Sequence, residues 1–287
     1  MSAQFTVLAN GNLHMNHGPI DLILQIDGAW AAVESGRQRA WERFETILDE
    51  LVGELPVLRS GNPAHWGKLQ GSIARRMAAA VSGAVSSADV FITPMAAVAG
   101  SVADEIVQVF AGKSGIKRAI INNGGDIAIY LAAGEICRVG IVSNPVSGEA
   151  AGSFWITADE NIRGVATSGW RGRSQSLGIA DAVTILGATA AEADAMATLV
   201  ANAVDLPGHG QVVRQPATAV KADSDLGERL VTVDVGALSR QDIANALDRG
   251  AQEAHRLKAA GRLTAAVLCL AGEVRVIEDG NRLKLSA

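Results

Sequence analysis

One short segment has a composition that lets a ligand reach the main chain. Residues 122–126 read Asn-Asn-Gly-Gly-Asp. Gly124 and Gly125 carry no side chain, so phosphate or ring atoms can approach their backbone amides. The same pair is typical of a tight hairpin turn, and this structural interpretation stays open. The segment matches neither GxxxxGK[ST] nor GxGxxG, so it is neither a P-loop nor a dinucleotide-binding fingerprint.

A second segment offers oxygen ligands for a cation. Asp194 and Thr198 are four residues apart in an alanine-rich run, which places them on one face of a predicted helix. Carboxylate and hydroxyl oxygens are the ligands that Mg²⁺ and Ca²⁺ prefer. The alternative is an acid stabilised by the helix dipole, with Thr198 packed as a small core residue. Together the two segments predict a phosphate-bearing ligand held by backbone amides beside a divalent cation.

A third segment, at 166–174, combines hydroxyl groups with arginines after a predicted strand. Thr167 and Ser168 precede Gly169, and Arg171 is of the type that pairs bidentately with phosphate. An ordinary solvated turn is the alternative interpretation. The five histidines are scattered and form no Ser/His/Asp or Cys/His signature.

Composition narrows the class of protein. The chain has 287 residues, 48% apolar and only 4% aromatic, so we expect one domain, 1–287, with a core of small side chains. A net charge of −5 lacks the basic face of a nucleic-acid binder. Without a secretory signal, or an apolar run of about 18 residues, we expect a cytoplasmic protein with no membrane partner. Cys137 and Cys269 have no CxxC context, which predicts buried free thiols.

The predicted elements alternate in type. We predict strands at 5–8, 20–26, 90–93, 117–122, 126–131, 136–142, 153–158, 164–167, 182–186, 230–235, 264–270 and 274–277. Helices are predicted at 29–51, 66–85, 96–110, 189–204 and 239–259. Turns are expected between the first two strands, at Asn123-Gly124 and at Asn144-Pro145, and a loop is expected over 208–227. Adjacent strands that pair as hairpins favour an α+β fold with mixed or antiparallel sheets over a doubly wound parallel sheet.

A weak internal repeat accompanies these elements. Ala88-Asp89 followed later by Ala103-Asp104 resembles Ala180-Asp181 followed by Ala193-Asp194. Each half gives a strand that leads into a small-residue helix carrying an acid. The repeat predicts a pseudo-twofold core with Asp104 and Asp194 in related places.

These motifs, in this order, resemble the ApbE superfamily, whose best known members are FAD-dependent flavin transferases that attach FMN to proteins. Residues 122–127 look like that family's Gly-Gly-Asp flavin segment, and 166–169 look like its Ala-Thr-Ser-Gly segment. Residues 193–198 look like its Ala-Asp-Ala-x-Ala-Thr metal motif, and 100–104 look like its Gly-Tyr-Ala-Val-Asp helix. The resemblance covers about residues 88 to 204.

The resemblance implies a fold and a site. It implies an ApbE-like, T-fold-related domain that binds FAD with Mg²⁺ or Ca²⁺, and leaves a homo-oligomer open. Asp194 and Thr198 are then metal ligands, with the backbone ligand near Val98. The residues then expected to contact the flavin or its phosphates are Asn123, Gly124, Gly125, Asp126, Thr167, Ser168, Gly169 and Arg171.

The chain departs from the family pattern at three positions. Ala99 stands where the family has Lys, Ser101 where it has Tyr, and Gln175 or Ser176 near the expected His. Tyr130 is the single tyrosine, so a tyrosine platform elsewhere is excluded. The chain therefore resembles a divergent branch. Three functions stay open: FMN transfer or FAD pyrophosphate cleavage, non-catalytic flavin or nucleotide binding, and another small-molecule enzyme of cofactor biosynthesis on the same fold.

Overall fold

The computed structural model describes residues 2–83, 91–144, 148–280 and 283–285. The chain forms two compact units, each built from several segments. Unit 1 comprises Met1–Cys137, Ile156–Ala166 and Gly187–Asp194. Unit 2 comprises Arg138–Trp155, Thr167–Leu186 and Ala195–Ala287.

The secondary structure mixes strands and helices along the whole chain. The strands are β1 (Gln4–Val7), β2 (Leu13–His17), β3 (Ile20–Gly28), β4 (Ile116–Asn123), β5 (Asp126–Leu131), β6 (Ile136–Asn144), β7 (Glu149–Thr157), β8 (Gly164–Ser168), β9 (Ala182–Gly187), β10 (Val212–Pro216), β11 (Leu230–Val235), β12 (Ala265–Leu270), β13 (Glu273–Ile277) and β14 (Leu283–Leu285). The helices are α1 (Trp30–Gly53), α2 (Leu55–Leu58), α3 (Pro63–Trp66), α4 (Ser72–Ser82), α5 (Val98–Val107), α6 (Ala190–Ala203), α7 (Ala217–Val220) and α8 (Arg240–Ala259), with a 3₁₀ turn at Pro94–Ala97.

Unit 1 contains an antiparallel sheet with strand order β1-β2-β3-β4-β5-β8. Helix α1 packs on β2 and β3, and helix α5 packs on β4 and β5. The amphipathic pattern of α1 explains its position, because Phe44 and Ile47 lie on its buried face. The packing of α5 on β4 and β5 thus keeps the start of α5 and the β4–β5 hairpin in one unit.

Unit 2 contains the antiparallel strands β9-β12-β13, the β10–β11 pair and the β14-β7-β6 sheet. Helix α8 packs on β12 and β13. It begins with a capping box, because the Ser239 hydroxyl accepts the Asp242 N–H and the Asp242 carboxylate accepts the Ser239 N–H. Ile243 and Leu247 lie on its buried face.

Helix α6 supplies residues to both units, with Ala190 to Asp194 in unit 1 and the remainder in unit 2. Six of its seven alanines are almost completely buried, which agrees with the prediction of a small-residue core. Thr189 caps the helix, since its hydroxyl accepts the Glu192 N–H at 3.1 Å. The predicted helix start is therefore confirmed to within one residue.

The α+β fold class is confirmed, and most predicted elements have observed counterparts. Both cysteines are buried and unbridged, as predicted. Burial raises the pKa of each thiol to about 11. Among the described residues no helix combines the length and hydropathy needed to cross a bilayer.

Several predicted boundaries are wrong. The turn expected between the first strands contains β2, whose residues alternate between buried and half-buried positions. The expected loop over 208–227 contains β10 and α7. The helix expected over 66–85 begins only at Ser72, as α4, because α3 ends at Trp66. Residues 84 and 85 lie outside the described part. Residues 91–93 form no strand, while Val90 and Pro145 lie outside the described residues.

Candidate functional site

The glycine pair forms the turn between β4 and β5. Asn123 pairs with Asp126 across the hairpin, so Gly124 and Gly125 are its two loop residues, one position later than the predicted Asn123-Gly124 turn. Their φ values are 66° and 114°, which suits the type I′ turn that joins twisted strands. The Asn122 side chain accepts the Gly125 N–H at 2.8 Å. A Cβ built on Gly125 would meet no atom within 4 Å, so the turn needs glycine for its backbone angle while the space beside it is open.

Asn123 connects the hairpin to the start of helix α5. Its side chain is buried, and its amide nitrogen donates to the carbonyl oxygen of Ala99 at 3.1 Å. Its amide oxygen accepts the Asp21 N–H at 3.4 Å. These bonds fix the segment that precedes Gly100 and thereby tie the glycine turn to the first turn of α5.

Helices α5 and α6 are joined by two aspartates, each of which accepts main-chain N–H groups from the first turn of the other helix. Asp104 of α5 accepts the N–H groups of Ala190 and Ala191 at 3.0 and 2.9 Å, through its two oxygens. Asp194 of α6 accepts the N–H of Gly100 at 3.0 Å. First-turn amides have no partner within their own helix, so each carboxylate satisfies donors of the other helix. Asp104 and Asp194 therefore occupy related places, as predicted, although Ala88-Asp89 lies outside the described residues.

Close backbone contact explains the glycine at position 100. A Cβ there would lie 2.2 Å from the carbonyl oxygen of Ala190 and 2.5 Å from its carbon. A residue with any side chain would force the two helices apart. The first turns of α5 and α6 thus touch through main-chain atoms.

The electrostatics of the two aspartates are unusual. Loss of hydration raises the pKa of Asp194 well above its ordinary value, and the nearby Asp126 carboxylate raises it further. Backbone hydrogen bonds from Gly100 and Ala99 oppose this shift. Burial likewise raises the pKa of Asp104 to about 6, although the Ala191 and Ala190 amides favour its charged form. Within the described part of the chain, no Lys or Arg side chain forms an ion pair with Asp194.

The other two predicted metal ligands lie on the same helices. Val98 is the first residue of α5, two positions before Gly100. Thr198 lies one turn after Asp194 on α6 and is partly exposed. Across residues 2–83, 91–144, 148–280 and 283–285, no three His, Cys, Asp or Glu side chains gather as a metal cluster. A cation at Asp194 would therefore need hydroxyl and main-chain oxygens, which suit Mg²⁺ and Ca²⁺.

In unit 2 the predicted phosphate-binding segment begins at the end of β8. The Thr167 hydroxyl lies 2.9 Å from the Thr184 hydroxyl. Ser168 ends β8, and Gly169 follows it in close contact with the main chain. A Cβ on Gly169 would lie 2.5 Å from the carbonyl oxygen of Asp181.

Arg171 already has an anionic partner within unit 2. Its Nε donates to Oδ1 of Asp181 at 2.6 Å, and its guanidinium lies 4.4 Å from the ring centroid of Trp170. The other Asp181 oxygen accepts the Ala271 N–H at 2.6 Å. The sequence pattern points to Asp181 only as part of the internal repeat. Its pairing with Arg171 was not predicted, because the two residues lie ten positions apart and the Arg171 motif indicates no partner. The terminal guanidinium nitrogens have no hydrogen bond to any residue that the structure describes.

A family model and a solved structure each match most of the chain. A family model described as "AbpE bacteria" matches residues 5–276. This span contains the four motifs on which the sequence resemblance is based. One solved structure is the apo form of the Pseudomonas stutzeri flavinyl transferase ApbE. The alignment with it covers 96% of this chain and 93% of the transferase chain. Its identity is 12% and its TM-score is 0.43, so this likeness supports no functional argument.

Relatives of higher identity cover less of the chain. The UPF0280 protein of Methanosphaerula palustris is 41% identical over 136 residues, which are 46% of this chain and 53% of that protein. The UPF0280 protein of Methanobrevibacter smithii is 40% identical over 112 residues, or 39% of this chain and 46% of that protein. The chain spans about half the length of the curated relatives it matches.

Proposed function

Because this chain belongs to the AbpE bacteria family, we propose that it is a flavin-dependent enzyme that uses a divalent cation. Its substrate is FAD or a related phosphate-bearing heterocycle. The reaction is transfer of FMN to an acceptor or cleavage of the FAD pyrophosphate. A cytoplasmic location and a homo-oligomeric state remain predictions from the sequence.

The observation that carries this proposal is the charge environment of Asp194. Its carboxylate is poorly hydrated and has a second carboxylate, Asp126, nearby. Two like charges in such surroundings raise each other's energy, whereas a cation would stabilise both. Opposite unit charges about 4 Å apart attract by roughly 4 kcal/mol at an effective dielectric near 20. Mg²⁺ or Ca²⁺ is therefore the proposed partner of this pair.

The donor atoms suit such a cation. Asp194 supplies a carboxylate, Thr198 a hydroxyl one helical turn later, and Val98 a main-chain carbonyl at the start of α5. Bound there, the cation would neutralise charge on phosphate oxygens during P–O cleavage. Asp126 ends the turn that contains Gly124 and Gly125, so the open side of that turn is the proposed contact surface for the flavin.

A separate segment, in unit 2, carries the other predicted binding residues. Thr167, Ser168 and Gly169 are proposed to donate hydroxyl or amide hydrogens to phosphate or flavin oxygens. Arg171 keeps its terminal nitrogens for an anion, while Asp181 fixes its Nε. These residues are proposed as binding residues, and the catalytic residue is unknown.

A non-catalytic flavin or nucleotide-binding protein is the second candidate. Ser101 occupies the position of the family tyrosine, is fully buried and has no hydrogen-bond partner for its hydroxyl in the described structure. A residue buried there cannot stack on a flavin. Ala99 likewise lacks the amine that a lysine would supply. The absence of the lysine amine and of the tyrosine ring is what favours binding without turnover.

One experiment separates these candidates. The purified full chain is incubated with FAD and Mg²⁺, and AMP release is followed by chromatography beside the visible absorbance of bound flavin. Mg²⁺-dependent AMP release that disappears in Asp194→Ala supports the enzyme. Bound flavin without AMP release supports the binding protein. The absence of both signals would contradict both candidates. Asp49→Ala, an exposed acid on α1, is the matched control and should behave as wild type.

A further inference from the structure

The hydrogen bonds from the first turn of α6 to Asp104 give this α5 residue a role in positioning α6. Asp104 lies on α5 and is 6% exposed. Both of its oxygens accept main-chain N–H groups at the start of α6, from Ala190 and Ala191. Asp194 lies about one turn further along α6 than these amides. The carboxylate of one helix thus holds the first turn of the helix that carries the proposed cation ligand.

We propose that Asp104 is a positioning residue for Asp194, holding the start of α6 so that the Asp194 carboxylate faces the start of α5. The role rests on the proposed function, in which Asp194 binds a divalent cation. Asp104 does not touch that cation. It acts through the two amides that it accepts.

Burial makes this contact difficult to replace. Ala190 is 0% exposed and Ala191 is 1% exposed, so water cannot take the place of the carboxylate as acceptor for their N–H groups. An unsatisfied buried amide is unfavourable, and a neutral side chain offers at most one good acceptor in place of two. Without Asp104, the first turn of α6 must move or lose hydrogen bonds.

Backbone contact transmits any such movement to Asp194. The Ala190 carbonyl oxygen lies only 2.2 Å from where a Cβ on Gly100 would be, and the Gly100 N–H is the donor to Asp194. Ala190, Gly100 and Asp194 are therefore linked by direct contacts between the starts of α5 and α6. A shift of Ala190 must change the geometry at Gly100 and hence at the Asp194 carboxylate.

The test compares Asp104→Asn with wild type in two assays. Titration calorimetry with MgCl₂ should show an affinity lowered by about tenfold or more, the size of effect seen when the support of a metal ligand is removed. Hydrogen exchange of the metal-free protein should show faster exchange at the Gly100 amide, by about tenfold. A carboxamide matches the carboxylate in size, so the change removes charge and one acceptor with little change in volume.

Controls separate positioning from general destabilisation. Leu247→Ala creates a cavity beside α8 in unit 2 and should lower stability while leaving Mg²⁺ affinity and Gly100 exchange unchanged. If Asp104→Asn does not fold, Asp104→Ser, which is smaller and neutral, replaces it. A folded variant with wild-type Mg²⁺ affinity and wild-type Gly100 exchange would overturn the positioning role. A wild-type protein that ignores Mg²⁺ would contradict the proposed function, while the Gly100 exchange would still test Asp104.

Discussion

Two aspartates in this chain have opposite charge environments. Asp181 in unit 2 is paired with Arg171 at 2.6 Å and also accepts the Ala271 N–H. Asp194 accepts the Gly100 N–H, and the largest charge effect on its pKa comes from the carboxylate of Asp126. The Asp181 charge is compensated by an arginine side chain. Among the described residues, the Asp194 carboxylate is compensated by main-chain amides and by no ion pair.

This difference distinguishes a carboxylate that already has a cationic side chain as partner from one that is a candidate ligand for a metal ion. A buried or half-buried carboxylate with an arginine partner stabilises the fold through that pair, and its removal leaves an uncompensated charge. A carboxylate placed beside another carboxylate reduces stability unless a cation arrives. Perturbed acids of this kind concentrate at functional sites. The contrast therefore predicts opposite effects for similar substitutions in the two places.

The largest effect on stability is expected at two glycines, Gly100, which donates its N–H to Asp194, and Gly169, which lies against the main chain of Asp181. Gly100→Ala places a Cβ 2.2 Å from the Ala190 oxygen, and Gly169→Ala places one 2.5 Å from the Asp181 oxygen. Each should lower the free energy of unfolding by about 3 kcal/mol in urea titrations, because backbone must move to make room. Only Gly100→Ala should also weaken Mg²⁺ binding. Equal Mg²⁺ affinities for the two variants would remove the distinction.

The second effect concerns the ion pair. Arg171→Ala should lower the free energy of unfolding by about 2 kcal/mol, because it leaves Asp181 without its cation and removes the contact with Trp170. Arg171→Ala combined with Asp181→Asn should recover part of this loss, since no charge is then left uncompensated. A single variant as stable as wild type would show that the pair contributes nothing.

Asp194→Asn should change the free energy of unfolding in the opposite direction to Arg171→Ala. In the metal-free protein it should raise the free energy of unfolding by about 1 kcal/mol, because a poorly hydrated charge beside Asp126 becomes neutral. Excess Mg²⁺ should stabilise wild type and not the variant. Thermal denaturation in EDTA and then in MgCl₂ measures both. Destabilisation in EDTA would mean that the chain already compensates this charge.

The smallest effect is a pH dependence. The pKa of folded Asp104 is about 6, above its ordinary value of 3.8. Folding therefore favours the protonated form, so this group's contribution to stability is full below pH 3.8 and is lost as pH rises through 6. The stability of wild type relative to Asp104→Asn should fall between pH 4.5 and 7.5. A rise over that range would contradict the sign of the shift.

The sequence predicted the fold class and most elements for identifiable reasons. Helix α8 has a capping residue at Ser239 and a clear apolar stripe, and the hairpin at Gly124 has a strong turn signal. Strand β2 was missed because His14 and Asn16, of types common in turns, occupy the half-buried positions of an alternating strand, and because its last residue, His17, is a buried polar residue. The family match confirms the resemblance to the ApbE superfamily that the motifs indicated.

The candidate site was only partly accessible to sequence reasoning. Asp194 was found from its spacing to Thr198, which is a local property of one helix. Its neighbour Asp126 and its donor Gly100 are 68 and 94 residues away along the chain, so no local pattern reports them. The partner of Arg171 was also missed, because a single motif gives the type of a side chain and not the tertiary contact that occupies it.

Titration calorimetry of Mg²⁺ into the full chain tests the central claim most directly. Wild type and Asp49→Ala should each bind one Mg²⁺ with the same affinity, since Asp49 is exposed on α1. Asp194→Ala should lose at least about tenfold in affinity, because it removes the charged ligand of the proposed site. An Asp194→Ala protein that binds Mg²⁺ as tightly as wild type would contradict the account.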